Sequence, residues 1–194
     1  MQDDAIQINQ IDPISLAPDV LGQIDSIFFE ASTRTFPPGP EREAFRERWL
    51  GRYLHDDVGD ALFLATERST VAGYLVGALQ NPALQDRFAD IGYFRTAFAE
   101  LCRHFPAHLH INLAPAFRSR GIGARLIEAF AEYAAGAGAA GVHIVTGAGM
   151  RNARFYERCG FQRRGAAAWN GGEVVFLGRT LQPSSAQGSA SIAR

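Results

Sequence analysis

Polar and apolar residues alternate through His108-Leu109-His110-Ile111-Asn112-Leu113, the period of a strand that buries its Leu109/Ile111/Leu113 face. Pro115 ends it, since proline has no N–H to give to a ladder. Ile122, Leu126, Ile127, Phe130 and Tyr133 then recur at helical spacing and predict a helix over 121–135. A second apolar strand, Val142-His143-Ile144-Val145-Thr146, follows. Upstream, Ile6 and Ile8 suggest a first strand. Val20, Leu21, Ile24, Ile27 and Phe28 predict a helix over 18–31, with Asp19 suiting the positive end of its dipole. Phe45, Trp49 and Tyr53 mark a charged helix over 41–54. Between these helices the proline-rich run 34–40 can be neither regular helix nor central strand. Segments 61–66 and 71–79 read as a hairpin turning at 67–70, closed by Asn81-Pro82. Residues 83–105, with Phe88, Tyr93, Phe94 and Phe98, are expected to be helical, and 173–177 to be a last strand. From Gln182 onward the small polar residues predict a disordered tail, leaving one domain over 1–181.

The stretch Arg118-Ser119-Arg120-Gly121-Ile122-Gly123-Ala124 joins the 108–113 strand to the following helix. Main-chain N–H groups at a helix start have no intrahelical partner, and the dipole adds to their pull on an anion. Gly121 and Gly123 would let the chain approach such a ligand without a Cβ in the way. A Walker loop is excluded, because the chain has no lysine, and a dinucleotide fingerprint fails because Leu126 stands where its third glycine would be. The literal GxGxxG from Gly136 to Gly141 leaves a helix and enters a strand, the reverse of the context that mechanism needs, so it reads as a helix stop.

The string from Leu113 to Gly123 resembles the acetyl-CoA-binding motif of the GNAT superfamily of acyltransferases, Arg/Gln-x-x-Gly-x-Gly/Ala. Asn152-Ala153-Arg154-Phe155-Tyr156-Glu157-Arg158-Cys159-Gly160-Phe161 is similar to a second GNAT signature, a helix ending in Phe-Tyr-Glu-x-x-Gly-Phe. The resemblance covers residues 107–164. More distantly, 83–105 together with 107–113 is similar to bacterial relatives of the acetyltransferase-like domain attached to some O-GlcNAcases.

The resemblance implies an α/β fold of the α+β kind: a mixed, mostly antiparallel central sheet flanked by helices and splayed between its fourth and fifth strands, here 108–113 and 142–146. It implies an acetyl-CoA-dependent N-acetyltransferase that passes the acetyl group directly to an amine in a ternary complex. The alternative is a catalytically silent CoA-binding module, with a nucleotide-binding α/β protein third. In the implied site, Arg120, Gly121, Ile122, Gly123 and Ala124 hold phosphate through the main chain, with Arg118 as an ion-pair partner. Main-chain N–H groups at Ile111 and Leu113 polarise the thioester carbonyl. Tyr156 protonates the leaving thiolate, being un-ionised at neutral pH. Asn152 binds the cofactor, although the family's asparagine more commonly lies nearer the Gly149 position. His108 and His110 share the strand face opposite Ile111, and His110, nearer the splay, is the expected base. The loop 34–40 is the expected rim of the acceptor site.

Composition narrows the partners. A net charge of −1 argues against a general nucleic-acid or membrane-surface protein. Eight arginines from Arg118 to Arg164, against Glu128, Glu132 and Glu157, suit a multiply anionic cofactor. The expected partner is a small-molecule or peptide amine, and a homodimer stays open. Cys102 and Cys159 have no metal spacing and imply no disulfide framework. The acidic start and the absence of a long apolar run predict a cytoplasmic protein.

Overall fold

The computed structural model describes residues 5–32, 34–55, 60–150 and 152–182; the expected tail beyond Gln182 lies outside the described residues. Seven strands form one sheet: β1 (Gln7–Ile11), β2 (Asp60–Glu67), β3 (Thr70–Ala78), β4 (Ala107–Leu113), β5 (Gly141–Gly147), β6 (Gln162–Trp169) and β7 (Gly172–Thr180). Their spatial order is β1-β2-β3-β4-β5-β7-β6, and every neighbouring pair is antiparallel except β4 and β5.

Helices cover both faces. On one lie α1 (Pro18–Ala31) and α2 (Pro40–Trp49). Both begin on a proline whose missing N–H costs nothing at a first turn, and both place acid there, Asp19 in α1 and Glu41 and Glu43 in α2. Ile24, Ile27 and Phe28 of α1 join Leu62, Leu64, Tyr74 and Val76 in one core layer. On the other face α4 (Ile122–Gly136) and α5 (Ala153–Arg158) cover Phe63, Leu75, Leu109, Ile144 and Leu177, with Leu126, Ile127 and Phe130 pointing inward from α4.

Three sequence expectations change. The helix expected over 41–54 ends at Trp49: Leu50 leaves helical geometry (φ −136°), and a single 3-10 turn, Gly51–Tyr53, buries Tyr53. The segment expected to be helical over 83–105 is mostly a chain of 3-10 turns, Pro82–Leu84, Asp86–Phe88 and Gly92–Phe94, before a short α3 (Ala99–His104). Its carbonyls are taken by arginine donors: Arg52 Nη1 donates to Arg87 O (2.6 Å), Arg95 Nη2 to Gln85 O (3.1 Å) and Arg48 to Asp90 O. Phe88, Ile91, Tyr93, Phe94 and Phe98 are all buried, a spacing that no single helix face offers. The third change is β6, which the sequence analysis did not foresee. It is an edge strand of exposed and small residues, Gln-Arg-Arg-Gly-Ala-Ala-Ala-Trp, without the β-branched pattern that marks a buried strand.

One buried ion pair fastens this 3-10 segment to the sheet. Arg87 Nη1 and Nη2 donate to Asp60 Oδ2 and Oδ1 at 2.5 and 2.6 Å, and the Asp60 side chain is only 2% exposed. Removing Asp60 takes away the carboxylate that balances a largely buried guanidinium. Asp60→Ala is therefore expected to lower the unfolding free energy in urea by about 3–5 kcal/mol; a loss below about 1 kcal/mol would mean that the aromatic layer holds the segment without the pair.

Candidate functional site

β4 is paired with β3 from His108 to Leu113, and β5 with β7 over its whole length, yet β4 and β5 share only two pairs, Ala107↔Val142 and His108↔His143. Each strand is held by its outer neighbour and diverges from the other, so a gap opens beyond His108. Ala114 N–H donates to Ala72 O across β3 (3.0 Å). The alternation of a strand then turns the main chain of Ile111 and Leu113 away from β3, toward the gap. Arg118 Nε reaches the Leu113 carbonyl from that side at 3.1 Å.

The chain leaves β4 through one 3-10 turn, Pro115–Phe117, and enters α4 through two left-handed residues, Ser119 (φ 61°) and Gly121 (φ 76°). Among the described residues the main-chain N–H groups of 119–124 find no acceptor; Arg125 N–H is the first to bond, to Gly121 O at 3.2 Å. With the dipole of α4 behind them they are a run of unbonded donors of the kind an anion can satisfy. A Cβ on Gly121 would meet nothing within 4 Å, so that position is open to a ligand. Gly123 is small for another reason than ligand approach: its Cβ would lie 2.9 Å from Phe155 Cζ and 3.3 Å from Leu113 Cδ1. It lets the start of α4 close onto α5 and β4. Ile122 is core, contributing only its N–H to the cradle. Arg120 aims its guanidinium at Glu67 (2.7 Å) and over the Phe117 ring, leaving its main chain to the cradle, whose last N–H belongs to Ala124.

α5 brings Tyr156 and Asn152 to the same face of the sheet as the cradle. Tyr156 is 7% exposed and packs against Phe155 and Phe161, with ring centroids 5.2 and 5.7 Å away. Burial, with Cys159 adding to it, pushes its phenol pKa above 10, so it stays a proton donor at neutral pH. Asn152 precedes α5 without capping it; instead its Oδ1 accepts from Thr146 Oγ1 at 3.1 Å.

On the opposite face the two histidines of β4 part company. His108 is 2% exposed and enclosed by Phe88, Tyr53, Phe94 and His143, so it is a core residue. His110 is half-buried at the gap, edge-on to Trp49 (5.5 Å) and Tyr53 (5.4 Å). Burial, and secondarily Arg52, lowers its pKa to about 4, which keeps it neutral but makes it a weak base. Two further polar residues at the gap, which the sequence analysis did not single out, are Thr146 and Asn112. Asn112 Nδ2 donates to the buried Tyr74 hydroxyl at 2.8 Å. The His-x-His-x-Asn alternation already put Asn112 on this face, but Trp49 and Tyr53 reach it from far along the chain. Among the described residues no three His, Cys, Asp or Glu side chains are grouped to hold a metal, and no helix is long and apolar enough to cross a membrane.

The last β4–β5 rung carries an electrostatic cost. His143 Nδ1–H donates to Phe105 O (2.5 Å), but among the described residues its Nε2 and both nitrogens of His108 meet no partner at normal hydrogen-bond geometry. Burial lowers both imidazole pKa values, that of His143 to about 4, and the two rings and His110 disfavour charge on one another. An imidazole with a folded pKa below its unfolded value contributes stability above pH 6.5 that is lost as pH falls toward 4. Each is expected to remove up to about 1.4 kcal/mol per pH unit in that window. Urea midpoints measured from pH 7.5 to 5 should fall for the parent and less for His108→Phe/His143→Phe; equal slopes would show that these rings do not titrate on unfolding.

Comparison with known proteins bears on the family and the fold. Residues 23–161 match the model of the Acetyltransferase (GNAT) family. No curated protein matches the sequence. Among solved structures, a GCN5-related N-acetyltransferase from Kribbella flavida superposes with TM-score 0.63 at 16% identity, over 91% of this chain and 98% of that one. An N-acetyltransferase from Staphylococcus aureus gives TM-score 0.60 at 15% identity, over 92% and 99%. An IAA acetyltransferase from Bacillus cereus gives 0.56 at 17%, over 91% and 100%. At these identities the structures speak for the fold alone. The family match spans most of the chain, so the chain belongs to the GNAT family of acetyltransferases.

Proposed function

We propose that the protein transfers an acetyl group from acetyl-CoA directly to the nitrogen of an amine, small molecule or peptide, with both substrates bound together. The observation that carries this reading is the gap between β4 and β5 lying beside the unpaired N–H groups of 119–124. One end of that arrangement suits a diphosphate and the other an extended arm threaded between strands. Acetyl-CoA would supply a thioester, a carbonyl already activated toward a nucleophile.

The chain's own groups divide the work. The 119–124 main chain holds phosphate, and Arg118 lends positive charge at the rim. The Ile111 and Leu113 N–H groups stabilise negative charge developing on the carbonyl oxygen. Asn152 binds the cofactor arm. Tyr156 donates its proton to the departing sulfur. The amine approaches from the α1/α2 face, between the 34–40 loop and His110. His110 is too weak a base to deprotonate a strongly basic ammonium by itself, so it serves an amine that arrives already neutral, or passes the proton on to water. Direct transfer is favoured over a cysteine-linked route because burial pushes the Cys102 thiol up to about 12 and raises that of Cys159 as well.

Calorimetry with acetyl-CoA, followed by thiol release over a panel of primary amines, tests this reading. Binding with amine-dependent thiol release is expected, and absence of binding would overturn it; binding without release across the panel would instead indicate a silent CoA-binding module. With an accepted amine in hand, Tyr156→Phe should keep the affinity for acetyl-CoA and lower kcat by about 10²-fold, the scale of losing a positioned acid. An unchanged kcat under rate-limiting chemistry would return Tyr156 to a packing role.

A further inference from the structure

We propose that Thr146 is a positioning residue for the cofactor arm: its hydroxyl holds the Asn152 side chain so that the amide nitrogen faces the gap between β4 and β5. The inference rests on the acetyl-CoA reading. Asparagine just before a helix ordinarily turns its side-chain oxygen onto the first free N–H groups, a favourable cap. Asn152 stands in that place but already has helical dihedrals (φ −71°, ψ −19°), so its side chain does not cap α5. Its Oδ1 accepts from Thr146 Oγ1 at 3.1 Å, in a half-buried setting. Its side chain is thus free to make a tertiary contact, and it makes that one with Thr146.

The location fits. Thr146 lies on β5 beyond the His108↔His143 rung, where the strand no longer has β4 beside it. Strand alternation puts its side chain on the face of Val142 and Ile144, which pack in the α4/α5 layer. The turn that follows is tight: Ala148 N–H donates to Glu173 O (2.8 Å), Met150 N–H to Gly147 O (3.3 Å) and Ala153 N–H to Met150 O (3.2 Å), bringing residue 152 back over residue 146. Threonine is suited to the task, because branching at Cβ restricts χ1 and so fixes the hydroxyl direction. With Oδ1 engaged, the two Nδ2 hydrogens of Asn152 have no acceptor among the described residues. The pantetheine arm of CoA carries two amide carbonyls, which need donors wherever they are taken out of water.

Calorimetry with two probes separates positioning from general support of the fold. Acetyl-CoA carries the pantetheine arm; adenosine 3′-phosphate 5′-diphosphate carries only the nucleotide part that the cradle would hold. Thr146→Val keeps shape and strand preference and should fold. It is expected to weaken acetyl-CoA binding about three- to tenfold and leave nucleotide binding unchanged, while Thr146→Ser stays within about twofold of the parent. In the Asn152→Ala background Thr146→Val should add nothing, since the two act as one unit. Equal weakening of both probes, or no weakening of acetyl-CoA, would overturn the proposal. If the parent binds neither probe, the acetyl-CoA reading itself falls, and Thr146 with it.

Discussion

Two adjacent parallel strands that pair only at Ala107 and His108 determine where everything else in this protein can act. Had β4 and β5 continued their ladder, the main chain of Ile111 and Leu113 would be spent on sheet hydrogen bonds. Because β3 and β7 hold the two strands from outside, the sheet can open without losing its integrity. The same divergence leaves room beside Leu113, where the chain turns through Ser119 and Gly121 to start α4 with six main-chain donors that have no acceptor among the described residues. Gap and cradle are therefore one feature, joined by a few residues of chain.

The two faces of that opening differ in character. On the α4/α5 face lie the cradle, the Thr146–Asn152 contact and the protonated phenol of Tyr156. On the α1/α2 face the gap is bounded by rings: His110 meets Trp49 and Tyr53, and beneath it His108 and His143 are sealed among Phe88, Phe94 and Phe176. Unpartnered imidazole nitrogens in a core are costly. Burial of His108 and His143 on the last paired rung disfavours the charged form of both rings.

Legibility in the sequence followed physical rules. Helix α1, the β2–β3 hairpin, β4 and α4 were readable because apolar period and Pro/Gly punctuation agree there; α1 runs from Pro18 to Ala31, as its pattern predicts. The segment 82–98 was not, since its carbonyls bond to arginines far along the chain and its aromatics face several directions. Edge strand β6 was hidden by small, exposed residues. At the candidate site, the sequence singled out the 118–124 turn through its glycines at a helix start, and Tyr156 through motif resemblance. It misjudged why Gly123 is small, because the reason is the ring of Phe155, a tertiary neighbour. Thr146 and Tyr53 carry no local signal, and their places depend on long-range packing.

The central claim is that the opened edge of β4 and the start of α4 together receive the cofactor. Amide hydrogen exchange, resolved by residue with and without acetyl-CoA, addresses it directly, because it reads the main-chain N–H groups the claim depends on. The account predicts that exchange slows at Ile111, Leu113 and residues 119–124 and is unchanged in β1 and β2. Slowing confined to the α1/α2 face, with those eight amides unaffected, would contradict it.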